Sequence, residues 1–341
     1  SVSAFLLNRS SDLEIIRYAS YGGKILTVGG NALSISPNYN PLNLPSKTIR
    51  LKFNLGVTPT FPLGTATRVS YSPNVWDLTY NSSNWEYLLY NEPRMTDLIE
   101  VLGANTYNVT NMTYMFYGCS SLTKVALFDT SRVTEMIDMF CGCTSLTDVP
   151  LFDMSSLTDM GGMFINCKAL TSVPWFNTSS VTIMADTFGS CNSLTSVPHF
   201  DTRNVTNMSG MLHGCRALTS VPLFDTRSVT DFDNMFAYCS NLVSVPLFNT
   251  SLATDLSFMF TQCPSLASVP LFDTSHVSDV RYMFHDCTNV ESGALALYQQ
   301  MSSQAIPPST YTDCFANCGS NTVTGAAELA QIPSAWGGTG S

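Results

Sequence analysis

Residues 215–239 read CRALTSVPLFDTRSVTDFDNMFAYC, and residues 239–263, CSNLVSVPLFNTSLATDLSFMFTQC, repeat them at the same spacing. Cysteines stand at 119, 143, 167, 191, 215, 239, 263 and 287, each 24 residues after the last. A leucine follows three residues on, from Leu122 to Leu266, and a valine six on, from Val125 to Val269. Proline, a variable residue and a phenylalanine come next, the phenylalanines running from Phe128 to Phe272, with Asp or Asn directly after. One unit further back Met95 takes the cysteine slot, and Leu98, Val101, Asn105, Val109, Met112, Met115 and Phe116 keep the frame. Eight complete units therefore span 95–286. Beyond Cys287 a degenerate ninth unit is stretched by seven residues before Cys318 restores the register. Terminal units that break a pattern are the mark of capping repeats.

Within a unit, Val229, Phe232, Met235, Phe236, Cys239 and Leu242 are spaced by three and four, which predicts one face of a short helix or helix-like turn. LTSVPLF predicts a short strand that ends at the valine, because proline cannot donate a ladder hydrogen bond. One such coil cannot bury its own apolar face, whereas stacked coils can, with parallel strands about 4.8 Å apart. The expected fold is an α/β solenoid: coils of short parallel strand plus short helical arm, with a small β-rich N-terminal region and a helical C-terminal cap.

Units of the form C-x-S-L-T-S-V-P-L-F-D-T-S-x-V-T-x-M-x-x-M-F resemble the BspA-like leucine-rich repeats of bacterial surface proteins, relatives of the Treponema-type repeat and of a kind found in gut bacteria and their phages. The resemblance covers residues 95 to about 320 and is specific at around ten positions per unit. It implies a curved right-handed solenoid and a role in adhesion, host contact or surface display, with no catalytic residues to carry over. One departure from the family is expected, since no anchor, sorting signal or secretion tail is visible in the sequence.

The flanks differ in texture. Residues 1–45 read as a β-rich attachment region ending in the turn-rich NYNPLNLPS, and residues 46–94 as an N-terminal cap. In TIRLKFN, alternation puts Ile49, Leu51 and Phe53 on one face of a strand. RVSYSPNVWDLTY reads as extended chain, and the stretch from Ser83 to Glu86 as a capping box opening a helix through Tyr90. In 287–341, ESGALALYQQMSSQ and TGAAELAQI predict helices, with Trp336 available to close the stack.

Composition narrows the partners. With 45% apolar residues the 341-residue chain buries a substantial core. Its net charge of -10 and 12% charged residues lack the basic footprint that nucleic acids require. No apolar run reaches the roughly 18–20 residues of a spanning helix. The opening SVSAFLLNRSSDLE has no basic segment, long apolar run and cleavage site. The expectation is that a signal was removed, or that export took another route such as particle release by lysis.

Cysteines in equivalent positions of adjacent coils come close enough to pair as disulfides, about 5 Å between Cα atoms. The preferred reading is a ladder of buried free thiols, because each lies between apolar neighbours and Met95 fills the same slot without bridging chemistry. Cys141 reads as an extra thiol on the outward side, and Cys314 and Cys318 form only a weak metal signal. The column of Asp129, Asp153, Asp201, Asp225 and Asp273 suggests calcium ligands, but Asn177 and Asn249 share the slot, so Asx-turns or caps explain it better. Eight N-x-S/T triplets follow from the repeat vocabulary. No nucleophile elbow, H-E-x-x-H pair, P-loop or Rossmann glycine run occurs, so neither an enzyme nor a cofactor is expected.

If fixed slots are core, recognition belongs to the variable ones. These align Tyr114, Tyr117, Tyr238, Phe258 and Tyr282 into a ridge with His213, and place Trp175 and His199 among the leucines after proline. Exposed aromatic residues make good contact residues. The alternative is that single rings pack on the next coil and merely finish the core. The expected function is adhesion to a host or bacterial cell-surface protein or glycan, outside the cell or on a virion. The alternative is a phage or particle fibre component, joined to other subunits through residues 1–45.

Overall fold

The computed structural model of the chain describes residues 42–340, apart from 57–58, 60–64, 70–71, 73, 81, 87 and 90–94, together with the backbone of 27–29 and 32–34. Most of the expected attachment region 1–45 lies outside the described residues.

Residues 229–239 do not become a helix. Their amides alternate between two kinds of partner. Phe232 N donates to Asp255 O at 3.1 Å, Asn234 N to Ser257 O at 3.0 Å, Phe236 N to Met259 O at 2.9 Å and Tyr238 N to Thr261 O at 2.7 Å, all in the next coil. The amides between them close tight turns: Met235 N donates to Phe232 O, Ala237 N to Asn234 O and Cys239 N to Phe236 O, at 3.0–3.2 Å. Thr230 N reaches back to Thr206 O at 3.0 Å. An α-helix needs right-handed φ at every residue and amides that donate four residues back. Here Asn234 and Tyr238 have φ of 57° and 63°, so the right-handed run is broken twice per coil. The expected helical arm is therefore corrected to a string of turns. Its apolar residues still face inward, because successive turns rotate the chain much as a helix would.

This arm, not LTSVPLF, carries the main ladder between coils. A column of parallel bridges runs unbroken from Asn84 through Asn111, Glu135, Asp159, Ile183, Asn207, Asp231, Asp255 and Asp279 to Thr310. On the LTSV side the coils share single rungs, such as Thr195 N to Thr171 O at 3.1 Å and Val243 N to Thr219 O at 3.0 Å. Pairing stops at the proline, and Phe200 N turns back to Pro198 O at 2.9 Å.

At the N-terminal end β1 (Thr27–Gly29) and β2 (Ala32–Ser34) form an antiparallel pair. A second sheet contains β3 (Thr48–Phe53), β4 (Thr65–Arg68), β5 (Val75–Thr79), β6 (Leu98–Asn105) and β7 (Lys124–Val125), in the order β4-β5-β3-β6-β7. β6 belongs to the first coil and pairs in parallel with β7 of the second; β3 lies antiparallel on its other edge and so covers the open end of the stack. Ile49, Leu51 and Phe53 are fully buried, on the face the alternation predicts. The capping box at 83–86 opens no helix within the described residues. Asn84 instead bridges to Asn111, and its Oδ1 accepts Glu86 N at 2.8 Å. At the other end lie α1 (Ala294–Ser302) and α2 (Val323–Leu329). Gln300 of α1 donates to Phe272 O at 2.6 Å, and Gln304 to the Thr274 hydroxyl at 2.6 Å, groups that would otherwise face a missing coil. Trp336 stacks on Tyr311 at 4.2 Å.

Inside the stack two phenylalanine columns run side by side. Phe140, Phe164 and Phe188 are stacked at 5.7 and 5.6 Å, and each touches the second column, as Phe188 does Phe200 at 6.0 Å. All eleven cysteines are buried free thiols. The ladder thiols donate to carbonyls of the previous coil, Cys191 to Phe164 O and Cys239 to Leu212 O, both at 3.1 Å. Cys141 is also buried, but it lies outside the core, against Asp138 and Tyr117 on the outer side of the arm, where the sequence placed it. Buried threonine hydroxyls bind the coil that follows, Thr178 to Asp201 O at 2.9 Å and Thr226 to Asn249 O at 2.8 Å.

Phe164→Ala, at a fully buried ring with stacking partners on both sides, is expected to cost about 3–5 kcal/mol in urea unfolding. Burial pushes the Cys191 thiol up to about 12. The native state thus holds this proton more tightly than the unfolded chain does. That contribution is full below the ordinary thiol pKa of about 8.5 and is lost as pH rises through the native value. Stability is expected to fall from about pH 9 upward, while a thiol reagent at pH 8 labels the ladder cysteines only in urea.

Candidate functional site

The turn arm fixes where side chains can reach solvent. Two slots in each coil have positive φ, five residues and one residue before the ladder cysteine. The first holds Asp138, Gly162, Asp186, Gly210 and Asn234, and the second Gly118, Gly142, Asn166, Ser190 and Gly214. Glycine, asparagine and aspartate are the residues that tolerate left-handed backbone. Neighbouring coils also share space in the first slot: a Cβ on Gly162 would collide with Asp138 Oδ1, and one on Gly210 with Asp186 Oδ1. Yet Tyr114, Phe258 and Tyr282 occupy the first slot with φ of 55–58°, and Tyr238 the second with φ of 63°.

These rings share columns but do not form a continuous ridge. Tyr114 meets Tyr117 edge-on at 5.7 Å, and the half-buried His213 meets the exposed Tyr238 edge-on at 5.7 Å. Phe258 stacks on Tyr282 at 5.0 Å, with the Arg281 guanidinium 5.9 Å over the Phe258 ring and His285 against Tyr282. Asp138, Gly162, Asp186 and Gly210 separate the first cluster from the others. The Phe258–Tyr282 stack spans two coils, so part of each ring packs on its neighbour.

Two depressions gather the other expected residues. One, of about 440 Å³, is lined by Trp175, His199, Phe200, Asp201, Thr202, Arg203, Asp225 and Arg227. Trp175 Nε1 donates to His199 O at 2.9 Å, which pins an indole still 41% exposed. Arg203 pairs with Asp201 at 2.8 Å and Arg227 with Asp225 at 2.9 Å, so its charges cancel. The Arg227 hydrogen bond holds the Asp225 carboxyl below the usual range.

The second depression, about 360 Å³, brings His213 and Tyr238 together with Asn166, Lys168, Ser190, Asn192, Gly214 and Arg216. Neither Lys168 nor Arg216 has an ion pair among the described residues. Reading the variable slot after each cysteine, where Lys168, Asn192 and Arg216 fall at 24-residue intervals, would have revealed this column. In the first depression, the variable slot three residues after the phenylalanine holds Arg203 and Arg227.

The two Asx columns serve the backbone. Asp153 Oδ1 accepts Ser155 N at 3.0 Å and its hydroxyl at 2.6 Å, and Asn249 does the same for Ser251 at 3.0 and 2.7 Å. A second column, unnoticed in the sequence, starts each turn arm: Asn207 accepts Ser209 N at 2.8 Å and Asp231 accepts Asp233 N at 3.0 Å. Among the described residues no group of three or more His, Cys, Asp and Glu is placed to hold a metal ion. The Cys141 thiol is pushed up to about 12 by burial and by Asp138.

These features define a repeat solenoid with a fixed core and variable grooves. The chain belongs to the family described as "Mycoplasma protein of unknown function, DUF285", whose profile matches residues 89–198 and again 193–297. This is a BspA-like family, in agreement with the resemblance carried by the 24-residue unit. Similar solved structures include the T. pallidum leucine-rich repeat protein, 25% identical over 55% of this chain and 80% of that one, with a TM-score of 0.35. A leucine-rich cell surface protein from Faecalibacterium prausnitzii is 16% identical over 79% and 91%, with a TM-score of 0.27. A leucine-rich repeat protein from Eubacterium ventriosum is 15% identical over 66% and 84%, with a TM-score of 0.29. No curated protein matches the chain significantly. No helix among the described residues is long and apolar enough to cross a membrane.

Burial, then Asp255 and Asp233, raises the Asp231 carboxyl above its ordinary value, against the opposing hydrogen bond from Asp233 N. Stability tied to its protonated form is full below the ordinary carboxylate pKa of about 3.9 and is lost as pH rises through the native value. At pH 7 the charge is therefore a burden. Asp231→Asn keeps the Asx-turn, as Asn111 and Asn207 do in the same column. It is expected to raise stability by a few tenths of a kcal/mol at pH 7, an advantage that denaturation curves at pH 3 should no longer show.

Proposed function

We propose that this chain is a non-enzymatic binding protein that recognises a cell-surface protein or glycan through the variable columns of its solenoid, acting outside the cell. Residues 1–45 are assigned to attachment and 46–94 to capping the coils. The observation that carries the reading is the placement of Tyr114, Tyr238, Phe258 and Tyr282. Each sits where other coils of the same chain use glycine, asparagine or aspartate, and left-handed backbone costs an ordinary residue about 1–2 kcal/mol. Folding alone would favour the smaller residues. A large ring held at such a slot on a rigid stack offers contact area at little further entropy loss. Trp175 adds an indole fixed by its own hydrogen bond, in a slot where other coils have Leu223, Leu247 and Leu271.

The test uses residues the fold already accepts. Tyr238→Asn copies Asn166 and Asn317, and Trp175→Leu copies Leu223. Tyr238→Asn is expected to keep or raise the melting temperature. Both variants should weaken binding of the labelled chain to whole cells or to a panel of glycans and proteins. Variants that stay folded and bind as wild type would overturn the assignment of these columns.

A further inference from the structure

The second groove supports a narrower statement, which rests on the binding function above. We propose that the groove over Asn192 binds a carboxylate-bearing saccharide. The chain carries a net charge of -10, yet no carboxylate lines this groove. Arg203, Arg227 and Arg281 are each paired with the aspartate two residues before them. Lys168 and Arg216, exposed on the groove rim, have no ion pair among the described residues. They flank Asn192 in one column, and with coils about 4.8 Å apart their backbones straddle about 10 Å. Two cations left available in an acidic molecule mark a place for an anion.

The remaining lining selects the kind of anion. Asn166 and Ser190 supply amide and hydroxyl groups able both to donate and to accept, as sugar hydroxyls require, while Asn192, whose amide nitrogen donates to Gly214 O at 3.0 Å and Ser190 O at 3.2 Å, leaves its side-chain oxygen to accept. Tyr238, 41% exposed and edge-on to His213, offers a ring face to the C–H side of a pyranose. Arg216 can grip a carboxylate with two parallel hydrogen bonds, whereas Lys168 acts as a point charge. A peptide hot spot would need a deep apolar pocket, and here Tyr238 is the main apolar surface. A nucleic-acid backbone would need many more cations than two. Asp186 interacts with His213 from the turn arm, outside the lining. This places the positive end of the groove at Lys168 and Arg216 rather than at the histidine.

The experiment titrates the full chain with an oligogalacturonide and with sialyllactose, beside the methyl ester of each and neutral lactose. At least one acid is expected to bind, to lose binding on esterification and to bind more weakly as salt is raised. The Lys168→Ala/Arg216→Ala double variant should keep its melting temperature and bind roughly tenfold or more weakly. Lys124→Ala/Arg132→Ala, two exposed cations outside both grooves, should bind as wild type. Which acid binds separates a uronate polymer from a sialylated glycan. The proposal is overturned if an ester binds as well as its acid, if the Lys168/Arg216 variant binds as wild type, or if neither acid binds. If neither acid binds while the chain still attaches to cells, the groove assignment fails and the binding function stands; if the chain attaches to nothing, both fail.

Discussion

The structure depends on the alternation of amide partners along the turn arm. Every second amide donates to the coil ahead and every other one closes a turn within its own coil, so each coil is half-built until its neighbour is in place. This alternation explains why the spacing is so strict. An insertion within the arm would put every left-handed residue out of step with the carbonyls it must meet. The ninth unit shows where extra length is tolerated. Its seven additional residues and α1 come before the arm, and the ladder then resumes with Val280 N to Thr310 O at 2.8 Å, Phe284 N to Cys314 O at 2.8 Å and Asp286 N to Ala316 O at 2.9 Å.

Stacking at such close spacing suits some residues and penalises others. Phenylalanine gains from it, since rings such as Phe140, Phe164 and Phe260 find a parallel partner above and below. Cysteine fits because a small thiol packs as an apolar group while its proton satisfies a carbonyl of the previous coil. Threonine in the fixed slot is buried because its hydroxyl has a carbonyl waiting in the next coil. Aspartate is the awkward case. Its role at the start of a turn is useful in every coil, but a column of carboxylates repels itself. Asn111, Ile183 and Asn207 interrupt the second column, and Asn177 and Asn249 the first.

The stack leaves the variable slots unconstrained. The groove at Trp175 follows the proline and is charge-balanced by two Arg–Asp pairs. The groove at Asn192 lies around the ladder cysteines, on the other side of the LTSV segment, and retains two cations. A surface that varies from coil to coil over an unchanging core can change without altering how the chain folds.

The sequence by itself determined the period, the core and the buried thiol ladder, because each rests on residue type recurring at a constant interval. It also identified β3 and the first Asx column, both of which follow from local rules of alternation and turn chemistry. It did not distinguish a helix from a string of turns. Spacings of three and four place Val229, Phe232, Met235 and Phe236 on one face in either case, and the sign of φ at Asn234 or Tyr238 leaves no mark in the apolar pattern. The scattered Gly162, Gly210 and Asn234 were the available hint, obscured by the aromatic residues that share their columns. The clusters and grooves were decided by tertiary structure alone. Lys168, Asn192 and Arg216 lie 24 residues apart, and only the stacking of successive coils brings them to the rim of one groove.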